Sequence, residues 1–211
     1  MLIKFLPYII LSAVHIAACK LNKQKLRKYT KMGLMPLLIL AFCLCGGSKI
    51  LVPIALVFGW IGDIILTNPN EYKYRMAGAS SFSIGHVCYL GAILLSFDKM
   101  PGIFMGILCI LAGVAISYFC FKRFDSVIEK SMHASSLMYF ILLGIMLGIS
   151  VVSGINGVCG IGLIIGYLFF IASDSVLIHQ WFTVMDPSPR DDTIVMLTYC
   201  IAQATIVTAL L

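Results

Sequence analysis

The charges of this chain are confined to short clusters, separated by stretches too long and too apolar for a water-soluble fold. A membrane-crossing helix needs about 20 predominantly apolar residues, and somewhat fewer where flanking side chains reach out to the interface. Eight stretches approach that length: Leu2–Cys19, Met32–Cys45, Ile50–Leu66, Ala77–Phe97, Gly102–Phe121, Ala134–Ser153, Gly157–Phe182 and Thr193–Leu211. Only 11% of the 211 residues are charged, against about 25% in soluble domains. The first three stretches are short, so eight spans are expected, or seven if one of the three is re-entrant. No linker or internal repeat interrupts them. The expected fold is an all-α polytopic transmembrane bundle forming one integral-membrane domain over residues 1–211, its 18 glycines helping helices approach closely.

The connectors set the expected orientation. The first, KLNKQKLRKYTK, holds six basic residues and no acid. Lys20–Lys31, Thr67–Met76, Lys122–His133 and Thr183–Asp192 together carry twelve basic residues, and the opposite side carries only Lys4, Lys49 and Lys99. Lysine and arginine in short loops mark the cytoplasmic face, so both termini are expected on the far side. The net charge of +6 is accounted for by this asymmetry rather than by a nucleic-acid partner. The segment Ile16–Cys19 resembles a lipoprotein cleavage box, but six positive charges just beyond it would resist translocation. The eight cysteines form no CxxC pair and fall in or at the ends of spans, so they read as small packing residues.

Of nine acids, seven fall in connectors and only Asp63 and Asp174 lie within spans. Each costs on the order of 3 kcal/mol at mid-bilayer, and such residues usually face a protein interior or a watery cavity. With the expected orientation, both fall in the cytoplasmic half, as do His86 in the fourth span and Tyr199 and Gln203 in the eighth. Phe82, His86 and Tyr89 share one helical face, as do Tyr199 with Gln203, and Tyr167 with Asp174 and Trp181. A stripe mixing aromatic and polar groups suits a cavity that takes an apolar chain at one end and a polar group at the other. His15, His133 and His179 read as structural or interfacial. No HExxH or paired histidines appear, so no metal is expected. A serine nucleophile is disfavoured by the lack of a Gly-x-Ser-x-Gly turn.

Four motifs then occur in order: GDIIL at Gly62–Leu66, GASSFSIGHVCY at Gly78–Tyr89, GYLFFIASDSVL at Gly166–Leu177, and TYCIAQ at Thr198–Gln203. From about Gly59 to the C-terminus the chain resembles the YhhN family of lysoplasmalogenases. The stretch from Pro101 to Ser153 matches mainly by hydrophobicity, and the first two spans match nothing distinctive. The resemblance implies hydrolysis of the vinyl ether bond of a lysolipid bearing one alkenyl chain, releasing a fatty aldehyde and a glycerophospho-base. No cofactor is implied.

That chemistry needs one carboxyl kept protonated to protonate the β-carbon and one carboxylate to steady the cation or activate water, as in glycosidases. A low-dielectric surrounding favours the neutral form of one such group. By the resemblance, Asp63 and Asp174 are the catalytic pair, their individual parts open. His86, Tyr89, Ser173, Tyr199 and Gln203 become candidates for orienting carboxyls, water or substrate, and Lys73 and Arg75 for holding the lipid head group. The alternative reading is a small proton-coupled transporter or lipid carrier using the two acids as a relay; the missing inverted repeat counts against it.

Overall fold

The computed structural model describes residues 2–67, 71–98, 102–126, 128–183 and 188–211. Among these residues there are eight helices: α1 (Leu2–Lys20), α2 (Gln24–Leu44), α3 (Leu51–Ile65), α4 (Tyr72–Leu94), α5 (Ile103–Lys122), α6 (Lys130–Ile155), α7 (Gly160–Thr183) and α8 (Pro189–Ala209). Six of them, α1 and α4–α8, are long and apolar enough to cross a membrane. At 15 residues α3 is shorter, spanning roughly 22 Å at 1.5 Å per residue against a hydrocarbon core of about 30 Å. The architecture is a polytopic helical bundle. Lys99 and Asp186, placed in connectors by the sequence, lie outside the described residues.

Four helices, α2, α4, α6 and α8, begin earlier than hydropathy alone indicates. The second starts at Gln24, eight residues before the apolar stretch, and the fourth at Tyr72 rather than Ala77. Charged residues stop a hydropathy window but not a helix, because their long side chains reach water while the backbone stays hydrogen-bonded. Most of the basic Lys20–Lys31 segment is therefore helical, and this matters for the site below.

Except for α4 and α5, neighbours in sequence pack against each other, α8 closes back onto α1, and α6 contacts α4. The fifth helix lies outside this ring, against α6 with a minor contact to α7. Its buried residues are Gly113, Ser117 and Phe121, while Ile103, Phe104, Leu111 and Phe119 are exposed apolar side chains of the kind lipid covers. The α5–α6 seam is a backbone contact: a β-carbon on Gly144 would lie 2.6 Å from Val114 Cα, and one on Gly148 would lie 2.5 Å from Ile110 Cα. Ser117 adds a hydrogen bond of 2.6 Å to the Phe140 carbonyl.

Elsewhere the helices are tied by buried polar groups. Tyr8 on α1 donates to the Cys200 carbonyl on α8 at 2.9 Å. Ser81 on α4 donates to the Phe58 carbonyl on α3 at 2.6 Å. At the end of the bundle carrying the α1–α2 connection, Arg27 pairs with Asp192 at 2.6 Å and links α2 to α8.

Candidate functional site

Asp63 sits two residues before the last residue of α3 and is 3% exposed. Its two oxygens have different partners: the Lys31 ammonium stands 3.2 Å from Oδ1, and the Tyr199 hydroxyl donates to Oδ2 at 2.9 Å. Lys31 comes from α2 and Tyr199 from α8, so three helices meet at this carboxyl. Asp174, on α7, is 7% exposed and accepts one hydrogen bond, from Tyr139 of α6 at 2.6 Å on Oδ2.

A cavity of about 490 Å³ has both carboxyls in its wall. The sequence could place the two acids only at similar depth; the packing of α2, α3, α7 and α8 gives them a common space. Its wall includes apolar side chains, Leu66, Phe82, Leu177, Trp181, Val195 and Met196. It also carries Gln24, Lys25, Arg27, Lys28 and Lys31 of α2. A smaller, largely apolar pocket of about 30 Å³ has Asp174, Tyr139 and Phe82 in its wall and extends the site toward α6.

Behind the carboxyls lies a layer of buried rings. Phe82 stands edge-on to Phe170 and Tyr199, with ring centres 6.5 and 6.1 Å apart. His86 is packed among Phe170, Tyr167, Tyr139 and Tyr89, the nearest ring centre at 4.5 Å. Neither nitrogen of His86 has a hydrogen-bond partner among the described residues, nor has the Tyr167 hydroxyl. Tyr89 donates to Gln203 Oε1 at 2.9 Å, and Gln203 donates in turn to the Tyr199 oxygen at 3.4 Å. Tyr89 and Gln203 thereby reach Asp63 only through Tyr199. Ser173 is in the cavity wall, but its hydroxyl donates to the Val195 carbonyl at 3.1 Å and ties α7 to α8.

The two head-group candidates stand elsewhere. Lys73 pairs with Glu71 at 2.7 Å, both side chains more than half exposed, and lies over the Tyr74 ring. Arg75 donates to the Trp181 carbonyl at 3.0 Å and its guanidinium lies over the Trp181 and Phe182 rings. Neither is in the cavity wall.

Two partners of the carboxyls were not singled out from sequence. Lys31 was counted among the basic residues of a connector, as a marker of sidedness. Tyr139 falls in the stretch matched mainly by hydrophobicity, although a tyrosine in the apolar run Ala134–Ser153 is itself a polar group to account for.

With this geometry in hand, comparison with known proteins adds a family. The model of the YhhN family matches residues 26–210. The chain belongs to the YhhN family. The match starts within α2, so the helix bearing Lys31 falls in the family region even though its sequence is undistinctive. A curated relative, lysoplasmalogenase TMEM86B of Mus musculus, is 31% identical over 158 residues, covering 75% of this chain. The chain spans 62% of that relative's length. No solved structure matches.

Proposed function

We propose that the protein is a membrane hydrolase that cleaves the vinyl ether bond of a lysoplasmalogen. The observation carrying this reading is the shared cavity of Asp63 and Asp174, whose wall holds both apolar and cationic side chains. The family and the name of the mouse relative agree with it.

The hydrogen bonds suggest which carboxyl does what. Both oxygens of Asp63 face donors, one of them an ammonium. Charge-assisted bonds of that kind favour a carboxylate. Among the described residues Asp174 has one donor, on Oδ2, which leaves Oδ1 to carry a proton. Asp174 is therefore the acid, giving its proton to the vinyl β-carbon. The positive charge that develops on the α-carbon and ether oxygen faces Asp63. Water adds to the α-carbon and loses a proton to Asp63, and the resulting hemiacetal collapses to a fatty aldehyde and a free glycerol hydroxyl. One water is consumed and no redox partner is needed.

Tyr139 holds the acid in place, and Lys31 and Tyr199 hold the carboxylate. On the charge rule, we expect the cavity to face the cytoplasm, with both termini on the opposite side.

The test is aldehyde release, followed by mass spectrometry, from purified protein and a mixed lysolipid pool. Aldehyde and glycerophospho-base in equal amounts are expected; lysolipid left intact would end the proposal. Lys31→Met provides a further check, because it strands Asp63 without its ammonium. Breaking a fully buried pair costs about 3–5 kcal/mol, and the one-fifth exposure of Lys31 reduces this to about 1–3 kcal/mol. Thermal unfolding in detergent should show the loss. The double variant Lys31→Met/Asp63→Asn should recover much of the stability and none of the activity.

A further inference from the structure

Four cations line the cavity, and two of them are already matched. Arg27 is held by Asp192 at 2.6 Å and Lys31 by Asp63 at 3.2 Å. Lys25 and Lys28 have no ion-pair partner among the described residues, and Gln24 stands beside them in the same wall. Four cations thus face three acids, Asp63, Asp174 and Asp192, leaving a surplus of one positive charge, or two when Asp174 carries a proton. Charge asymmetry across a membrane accounts for lysines at this end of the bundle. It does not account for their lining the same space as the buried carboxyl pair.

We propose that Lys25 and Lys28, assisted by Gln24, form an anion subsite that takes the phosphate of a single-chain lipid's head group. This deepens the hydrolase reading and rests on it for the identity of the lipid. The remainder of the cavity fits such a molecule. The chain would lie against Leu66, Phe82, Leu177 and Trp181, in the same cavity whose wall carries Asp63 and Asp174. Lys25, Lys28 and Gln24 are exposed enough at the mouth for a phosphate to reach them without displacing packed side chains. The subsite replaces Lys73 and Arg75, whose positions leave the cavity wall to α2.

The test compares two uncleavable ligands of equal chain length, a saturated alkyl ether lysophosphocholine and the corresponding monoalkylglycerol. Binding is read in non-ionic micelles from the fluorescence of Trp181 in the cavity wall. Wild type is expected to bind the phosphate-bearing ligand at least about tenfold more tightly, as charge-assisted contacts would give. Lys25→Gln/Lys28→Gln should bind both ligands equally, and Lys25→Arg/Lys28→Arg should keep the preference. Binding of monoalkylglycerol serves as the check of folding in each variant. A preference undiminished in the glutamine variant would overturn the subsite. Glycerol 3-phosphate binding as tightly as the lipid would overturn its assignment to a lipid head group. Absence of aldehyde release with the preference intact would remove the hydrolase and leave the phosphate subsite standing.

Discussion

Asp174→Asn is expected to lower the rate of aldehyde release by about 10²–10⁴-fold, the range ascribed to a positioned general acid. An amide occupies the space of the carboxyl and can still accept the Tyr139 hydrogen bond on its oxygen. It cannot deliver a proton to carbon. Folding should persist, since the replacement is nearly isosteric and also removes the cost of a buried acid. Asp63→Asn should cause a loss of similar size by a different route, because the developing cation would lose its counter-charge while Lys31 remains. The measurement is initial rate under saturating lysolipid, with thermal unfolding recorded on the same preparations. If both asparagine variants retained full rates, neither carboxyl would take part in the chemistry.

The second large effect is on folding. Gly148→Val should drive α5 away from α6, because the new side chain would meet backbone at Ile110 Cα and at the Cys109 carbonyl, 2.5 and 2.6 Å from its β-carbon. Overpacking a well-fitted core costs about 1–3 kcal/mol where side chains can yield. Here the obstacle is main chain, which cannot rotate aside, so at least about 3 kcal/mol is expected. The fifth helix has few other attachments, and its separation should appear as a lowered midpoint and a broadened transition in thermal unfolding followed by circular dichroism. Gly106→Ala on the same helix is the control. A β-carbon there meets nothing within 4 Å, and alanine should be neutral or stabilise the helix by up to about 1 kcal/mol. Equal melting of the two variants would refute the close-contact account.

Much of the bundle was legible in the sequence because hydropathy acts over whole helices. Eight apolar stretches correspond to eight helices, and their order and polarity in charge followed from composition. That Asp63 and Asp174 lie within helices was legible for the same reason, since it depends only on position along an apolar stretch. Which helices would touch was not. That Lys31 reaches Asp63, or that Tyr139 reaches Asp174, depends on rotations of α2 and α6 that no periodicity specifies. The basic segment illustrates the point: its charges marked one end of the bundle, and the same charges concealed about two turns of helix from a hydropathy reading. Lys73 and Arg75, expected from their position between the third and fourth spans to hold the head group, do not line the cavity. In the fold, Arg75 is occupied by the Trp181 carbonyl and the two aromatic rings.

Because Lys25, Lys28 and Lys31 stand on one continuous helix, the helix acts as a ruler. At 1.5 Å per residue, Lys28 lies roughly 4.5 Å along the axis from the lysine that holds Asp63, and Lys25 roughly 9 Å. The gap between a bound phosphate and the reacting carbon is then fixed by backbone geometry, not by the length of the hydrocarbon tail. Lipids differing in tail length should share one reaction register, whereas a spacer of one extra carbon between phosphate and ether would throw the bond out of alignment with the acid.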